Sequence, residues 1–169
     1  MTVNTTLCKG CGGSFADIFT AVYPSLSASV GCKATLLHVQ SEELALYGYI
    51  QPAHHLITSA YFAQHPEAKT SVRGRQELVY HLCGLYCMLV LDFPSHLTSS
   101  ILRRTITTSR SYRELLPRPY QGDIHIGDVL ADTSISRDEY TDRAFSYARS
   151  VWDTWEHEHP YIRSLVLNA

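Results

Sequence analysis

The 169-residue chain is predicted to be all-α: a bundle of about four to five helices carrying an irregular, zinc-binding N-terminal loop. Three observations predict it. Between positions 32 and 107 apolar residues recur at helical spacing. Serine, glycine and proline stand where such helices would begin and stop. The three N-terminal cysteines lie outside this periodic region or at its edge, in glycine-rich sequence.

Residues 7 to 13, LCKGCGG, form a loop able to wrap backbone around a metal. The stretch to Val30 has little periodicity and is predicted irregular, with one short helical turn near Ala16 to Ala21. The first helix should run from Cys32 to Tyr47, with Leu36, Leu37, Leu44 and Ala45 as its apolar residues and Gly48 as its stop. A second should begin at Pro52, which suits a first helical turn, and end near His65 because Pro66 follows. Thr70 or Ser71 can cap a third, through Leu78, Leu82, Leu85 and Leu89, ending before Pro94. A weaker fourth spans Thr98 to Thr107. Residues 108 to 135 read as a long loop, interrupted by a brief helical turn at 127 to 132. The last helix starts at Ser136, whose hydroxyl and Glu139 make a capping box, and Pro160 kinks or breaks it. One domain is expected over 1–169: a metal-binding loop region (1–31), a helical bundle (32–107), the long loop (108–135) and a C-terminal helix (136–169).

A hydrophobic content of 45 % is that of a chain with a core rather than a disordered one. The net charge of −2 offers no basic field for nucleic acid or an acidic membrane. No apolar run reaches the roughly 18 residues of a membrane helix. The polar stretch Met1 to Leu7 does not read as a signal peptide, so a cytoplasmic setting is expected. Five cysteines cannot all pair, which argues against a disulfide framework. Cys83 and Cys87, one turn apart in a Leu-rich run, read as core.

Cys8, Cys11 and Cys32 read as ligands. Zinc takes four thiolate or imidazole donors in a tetrahedron, and a CxxC turn freed by Gly10, Gly12 and Gly13 supplies two. A thioredoxin-like reading fits poorly, because no alternation of strand and helix surrounds the motif. If the first two helices form an antiparallel hairpin turning near 48 to 49, facing residue numbers sum to about 97. Cys32 then lies opposite His65, which would close a Cys₃His site. His54, His55, His81 or a water remain alternatives for the fourth donor, and simple burial of the three cysteines is the bland one.

The same arithmetic, with a turn near 68, brings His81 towards His54 and His55. Such imidazoles could share a proton, bind metal or line a pocket, with Glu77, Tyr80 or Tyr61 to orient them. Alternatively His81 is a core histidine bonded to a tyrosine hydroxyl. His157 and His159, in WEHEHP, suit a solvated helix end. Arg103, Arg104, Arg110, Arg113 and Arg118 concentrate positive charge that could receive an anionic ligand, or simply face solvent.

Several segments taken in order resemble the family of unknown function DUF5946: CKGCGG at 8 to 13, SVGC at 29 to 32, HHLITSAYFAQHP at 54 to 66, VYHL at 79 to 82, IGDVL at 126 to 130 and ARSVWDTWEHEH at 148 to 159. The resemblance implies that Cys8, Cys11, Cys32, His54, Gln64, His65, His81 and Trp155 hold the family's characteristic positions. The chain departs from the pattern at Ser59, where Asp is favoured, and at Tyr147, where Trp is usual. Two functions are therefore expected to compete. One is a helical domain with a structural zinc ion that binds a protein partner or small ligand. The other is a metal- or histidine-dependent enzyme with His54 and His81 in a shared pocket.

Overall fold

The computed structural model describes residues 4–17, 27–66, 71–108, 112–115, 123–130 and 134–169. Two short strands, β1 (Thr5–Leu7) and β2 (Ser14–Ala16), pair antiparallel with Leu7 opposite Ser14. This hairpin replaces the irregular loop expected there. Three-residue strands, one of them exposed throughout, carry too little alternation to be seen in sequence. Ala16 ends β2, and the rest of the helical turn expected at 16 to 21 lies almost wholly outside the described residues.

Among the described residues six helices follow: α1 (Val30–Tyr47), α2 (Ala53–Gln64), α3 (Val72–Leu89), α4 (Ser95–Thr108), α5 (Arg137–Thr154) and α6 (His159–Leu167). The fold is mostly helical, as predicted. Serine hydroxyls start three of them: Ser29 accepts from Cys32 N–H, Ser71 from Gly74 N–H and Ser136 from Glu139 N–H. Gly48, at φ 69°, ends α1 in a conformation that costs other residues strain. Residues Ile126–Val129 form a 3-10 turn where a brief helical turn was expected. The C-terminal break comes at Trp155, before a 3-10 turn at Glu156–Glu158. Pro160 does not break a helix; it sits in the first turn of α6, where a missing N–H is harmless.

α2 is the central element, packed most closely on α3 and α5. Leu56, Ile57, Leu82, Leu85, Tyr140, Tyr147, Trp155 and Ile162 are fully buried around it. Each such aliphatic side chain contributes about 1.5–3 kcal/mol by leaving water. The apolar face expected on α1 is corrected. Its buried stripe is Cys32, Leu36, Val39 and Glu43, spaced by four, three and four residues, whereas Leu37 and Leu44 are 57 % and 65 % exposed. Those two leucines lie seven apart on a face that no described element covers. Among the described residues no helix is long and apolar enough to cross a membrane.

Candidate metal centre

The β1–β2 hairpin folds its connecting loop tightly: Cys8 N–H donates to Gly13 O and Gly12 N–H to Cys8 O, both at 2.8 Å. Cys8 and Cys11 thereby face the start of α1 and the end of α2. A Cβ at Gly10 would collide with the His65 ring, so only bare backbone fits there. Cys32 enters from the first turn of α1, and Ser29, which caps that turn, also donates its N–H to Cys8 Sγ at 3.3 Å. His65 closes the group from the end of α2.

The four donor atoms, the Sγ of Cys8, Cys11 and Cys32 and a ring nitrogen of His65, all lie within 4.8 Å of one another, on four buried residues. Cys11 and Cys32 are 3.9 Å apart at sulfur, and Cys32 Sγ is 3.4 Å from His65 Nε2. A tetrahedral ion with metal–sulfur bonds of about 2.3 Å needs sulfur separations of roughly 3.8 Å. These two edges fit. His65 Nδ1 lies 2.8 Å from Tyr61 O, which can only accept, so the hydrogen sits on Nδ1 and Nε2 turns its lone pair to the sulfurs.

Crowding redistributes the thiol protons. Hydrogen bonds with Cys11 and Cys32 hold Cys8 far below the usual thiol range. Cys32 is driven far above it by its hydrogen bonds with Cys11 and Cys8 and by burial. Cys11 is pushed up to about 11: its bond with Cys32 acts downward, but Cys8 and burial outweigh it. Three sulfurs cannot all be thiolate at this spacing without a cation between them, so ion binding would release protons.

A polar scaffold holds the end of α2. Tyr147 OH on α5 donates to Gln64 Oε1 at 2.9 Å, and Gln64 Nε2 donates to Ile124 O at 3.0 Å. Tyr61 packs its ring on His65 at 4.3 Å between centroids, and its buried hydroxyl has no partner among the described residues. Burial, and then its closeness to Cys32, raise its pKa, so it stays a neutral donor.

The hairpin register expected of α1 and α2 is observed. Cys32 meets His65, and His54 Nδ1 lies 3.1 Å from Glu43 Oε2, both pairs summing to 97; Gln40 bonds Thr58 one number on. Glu43 is 1 % exposed and also accepts from Ile50 N–H at 3.0 Å and Tyr140 OH at 3.1 Å. Sequence reasoning missed Glu43, although the arithmetic that found His65 points to it.

The expected His54–His81 pair is a correction. Facing residues of α2 and α3 sum to 143, not about 136: Phe62 stacks on His81 at 4.7 Å and Ser59 Oγ faces Gly84. The register lies about two turns further on, so His54 turns to Glu43 on α1 while His81 turns towards α4. Among the described residues no tyrosine hydroxyl bonds His81; Tyr80 meets it edge-on. His81 and His55, with Ser59, line a cavity of about 110 Å³ between α2, α3 and α4.

Elsewhere His159 Nε2 donates to Trp152 O at 3.1 Å and stacks on that indole at 3.8 Å. Arg113 ion-pairs with Glu158 and Arg103 and Arg104 are exposed, while Arg110 and Arg118 lie outside the described residues. Cys83 and Cys87 are buried in α3, away from the cluster, as expected of core residues.

The model of a family of unknown function, DUF5946, matches residues 6–156. The chain belongs to that family. No curated protein and no solved structure matches it. Of the DUF5946 positions marked by the resemblance, Cys8, Cys11, Cys32, Gln64 and His65 meet at one corner. His54 and His81 serve different surroundings, and Trp155 is buried with its indole N–H unpartnered among the described residues. Tyr147, one of the two departures, is the hydroxyl that holds Gln64.

Proposed function

We propose that this DUF5946 chain is a binding module for a protein partner or small ligand, built around one structural zinc ion held by Cys8, Cys11, Cys32 and His65. The observation that carries the reading is the His65 tautomer. A carbonyl fixes Nδ1–H, leaving Nε2 as the one lone pair directed at three sulfurs. Four protein donors complete a tetrahedron and leave no position for a substrate or water, which favours a structural over a catalytic ion. Thiolate-rich sets select zinc or iron, and zinc suits a site with one imidazole and no redox requirement. All five cysteines are free, which suits a reducing compartment such as the cytoplasm. The weakly acidic charge favours a protein or small-molecule partner over nucleic acid or a membrane.

Elemental analysis of the purified chain tests the metal. One zinc per chain is expected, lost in Cys32→Ser and His65→Ala and retained in His81→Ala. Full zinc content in Cys32→Ser, or loss on changing His81 alone, overturns the assignment.

A further inference from the structure

We infer that the cavity between α2, α3 and α4 is a binding site for one small, uncharged molecule carrying both a hydrogen-bond donor and an acceptor. The inference deepens the reading of the chain as a binding module by naming a site and a ligand class, and rests on that reading but not on the metal.

Volume sets the upper size. The cavity measures about 110 Å³, while an apolar cavity of about 150 Å³ accepts benzene, so the occupant has roughly five non-hydrogen atoms at most. Its lining sets the charge. His55, Ser59, Tyr80, His81, Ser95 and Thr98 supply imidazoles and hydroxyls, and among the described residues no Lys, Arg, Asp or Glu lines the space. An ion taken into it would lack a counter-charge, and unpaired buried charge is costly. Burial also pushes the His81 pKa down to about 4, so its ring is neutral at physiological pH.

The polar lining sets the chemistry. His81 is 8 % exposed, and its buried Nδ1 has no partner among the described residues. Ser95, which also lines the cavity, has a buried hydroxyl with no partner among the described residues. A neutral imidazole presents one donor and one acceptor, and a hydroxyl presents both. A guest offering both matches a lining of imidazoles and hydroxyls, whereas a hydrocarbon would leave that polar wall without partners. Gly84 keeps the space open: a Cβ there would project between Ser59 Oγ at 3.2 Å and Leu102 at 3.6 Å.

Acetamide, acetate and acetamidinium share one shape and differ in charge, so they test the inference as probes. The readout is the ring carbon–hydrogen resonances of His81 in the zinc-loaded protein, titrated with each. Saturable shifts with acetamide are expected, with neither ion matching them. Gly84→Ala should lower acetamide affinity roughly tenfold or more while keeping full zinc content and a cooperative melt. No saturable response to acetamide, equal response to all three probes, or undiminished binding in folded Gly84→Ala overturns the inference and leaves the cavity to water. Zinc content is measured on the same samples, so failure of the cavity and failure of the metal centre read out separately.

Discussion

His65 and His81 are both buried and sit on consecutive helices, yet their surroundings use the imidazole in opposite ways. At His65 both ring nitrogens are engaged, Nδ1 by Tyr61 O and Nε2 by the sulfur cluster, and even the neighbouring loop is stripped to glycine to make room. At His81 the ring is held by aromatic faces, Nδ1 has no partner among the described residues, and a cavity lies alongside. The difference teaches what each corner is built for. One imidazole is held through both nitrogens, and the other keeps a nitrogen without a partner among the described residues beside an open space.

Breaking the saturated corner has the largest expected effect. His65→Ala should lose the ion and on the order of several kcal/mol of folding stability, seen as a collapsed urea midpoint. A midpoint within experimental scatter of the parent would mean that the corner is not the anchor described.

A smaller effect separates the two histidines by pH. Burial sets the folded pKa of His81 at about 4, against 6.5 for a free imidazole. Between those values the unfolded chain binds a proton that the folded chain refuses. The contribution is fully present above about pH 6.5 and is lost as pH falls towards 4, by up to about 3 kcal/mol. Urea melts across this range should show His81→Gln losing less stability on acidification than the parent; parallel slopes would contradict it.

Tyr147→Phe removes the hydroxyl that holds Gln64 beside His65. A cost of about 1–2 kcal/mol is expected, with zinc stoichiometry unchanged, by denaturant melts and elemental analysis on one preparation. The smallest effect belongs to the other corner. Ser95→Ala deletes a buried hydroxyl that has no partner among the described residues, so stability should hold or rise by up to about 1 kcal/mol. A clear loss would show that the hydroxyl is already answered.

The fold and the gathering of Cys8, Cys11, Cys32 and His65 were legible in sequence to different depths, for reasons that lie in particular residues. Ser71, Ser136 and Gly48 mark helix ends because capping is local chemistry, and they stand where expected. The α1–α2 register was legible because a short turn leaves an antiparallel pair little freedom to slide. The α2–α3 register was not, since a longer connection shifts the facing positions by about two turns, and with them the partner of His81. The buried stripe of α1 was misread because Glu43 belongs to it. No composition rule places a carboxylate in a core, and only its partners, an imidazole, a phenol and a peptide N–H drawn from three segments, make that site tolerable. The β1–β2 hairpin is too short to leave a pattern.

Glu43 also carries a lesson about the order of assembly. It reaches Tyr140 across 97 positions of chain, and Gln64 reaches Tyr147 across 83. During synthesis the first two helices therefore emerge long before the phenols that complete their polar seams. A nascent chain stopped short of α5 carries a carboxylate and an amide waiting on donors not yet made, so maturation of the N-terminal half is timed by the arrival of the C-terminal one.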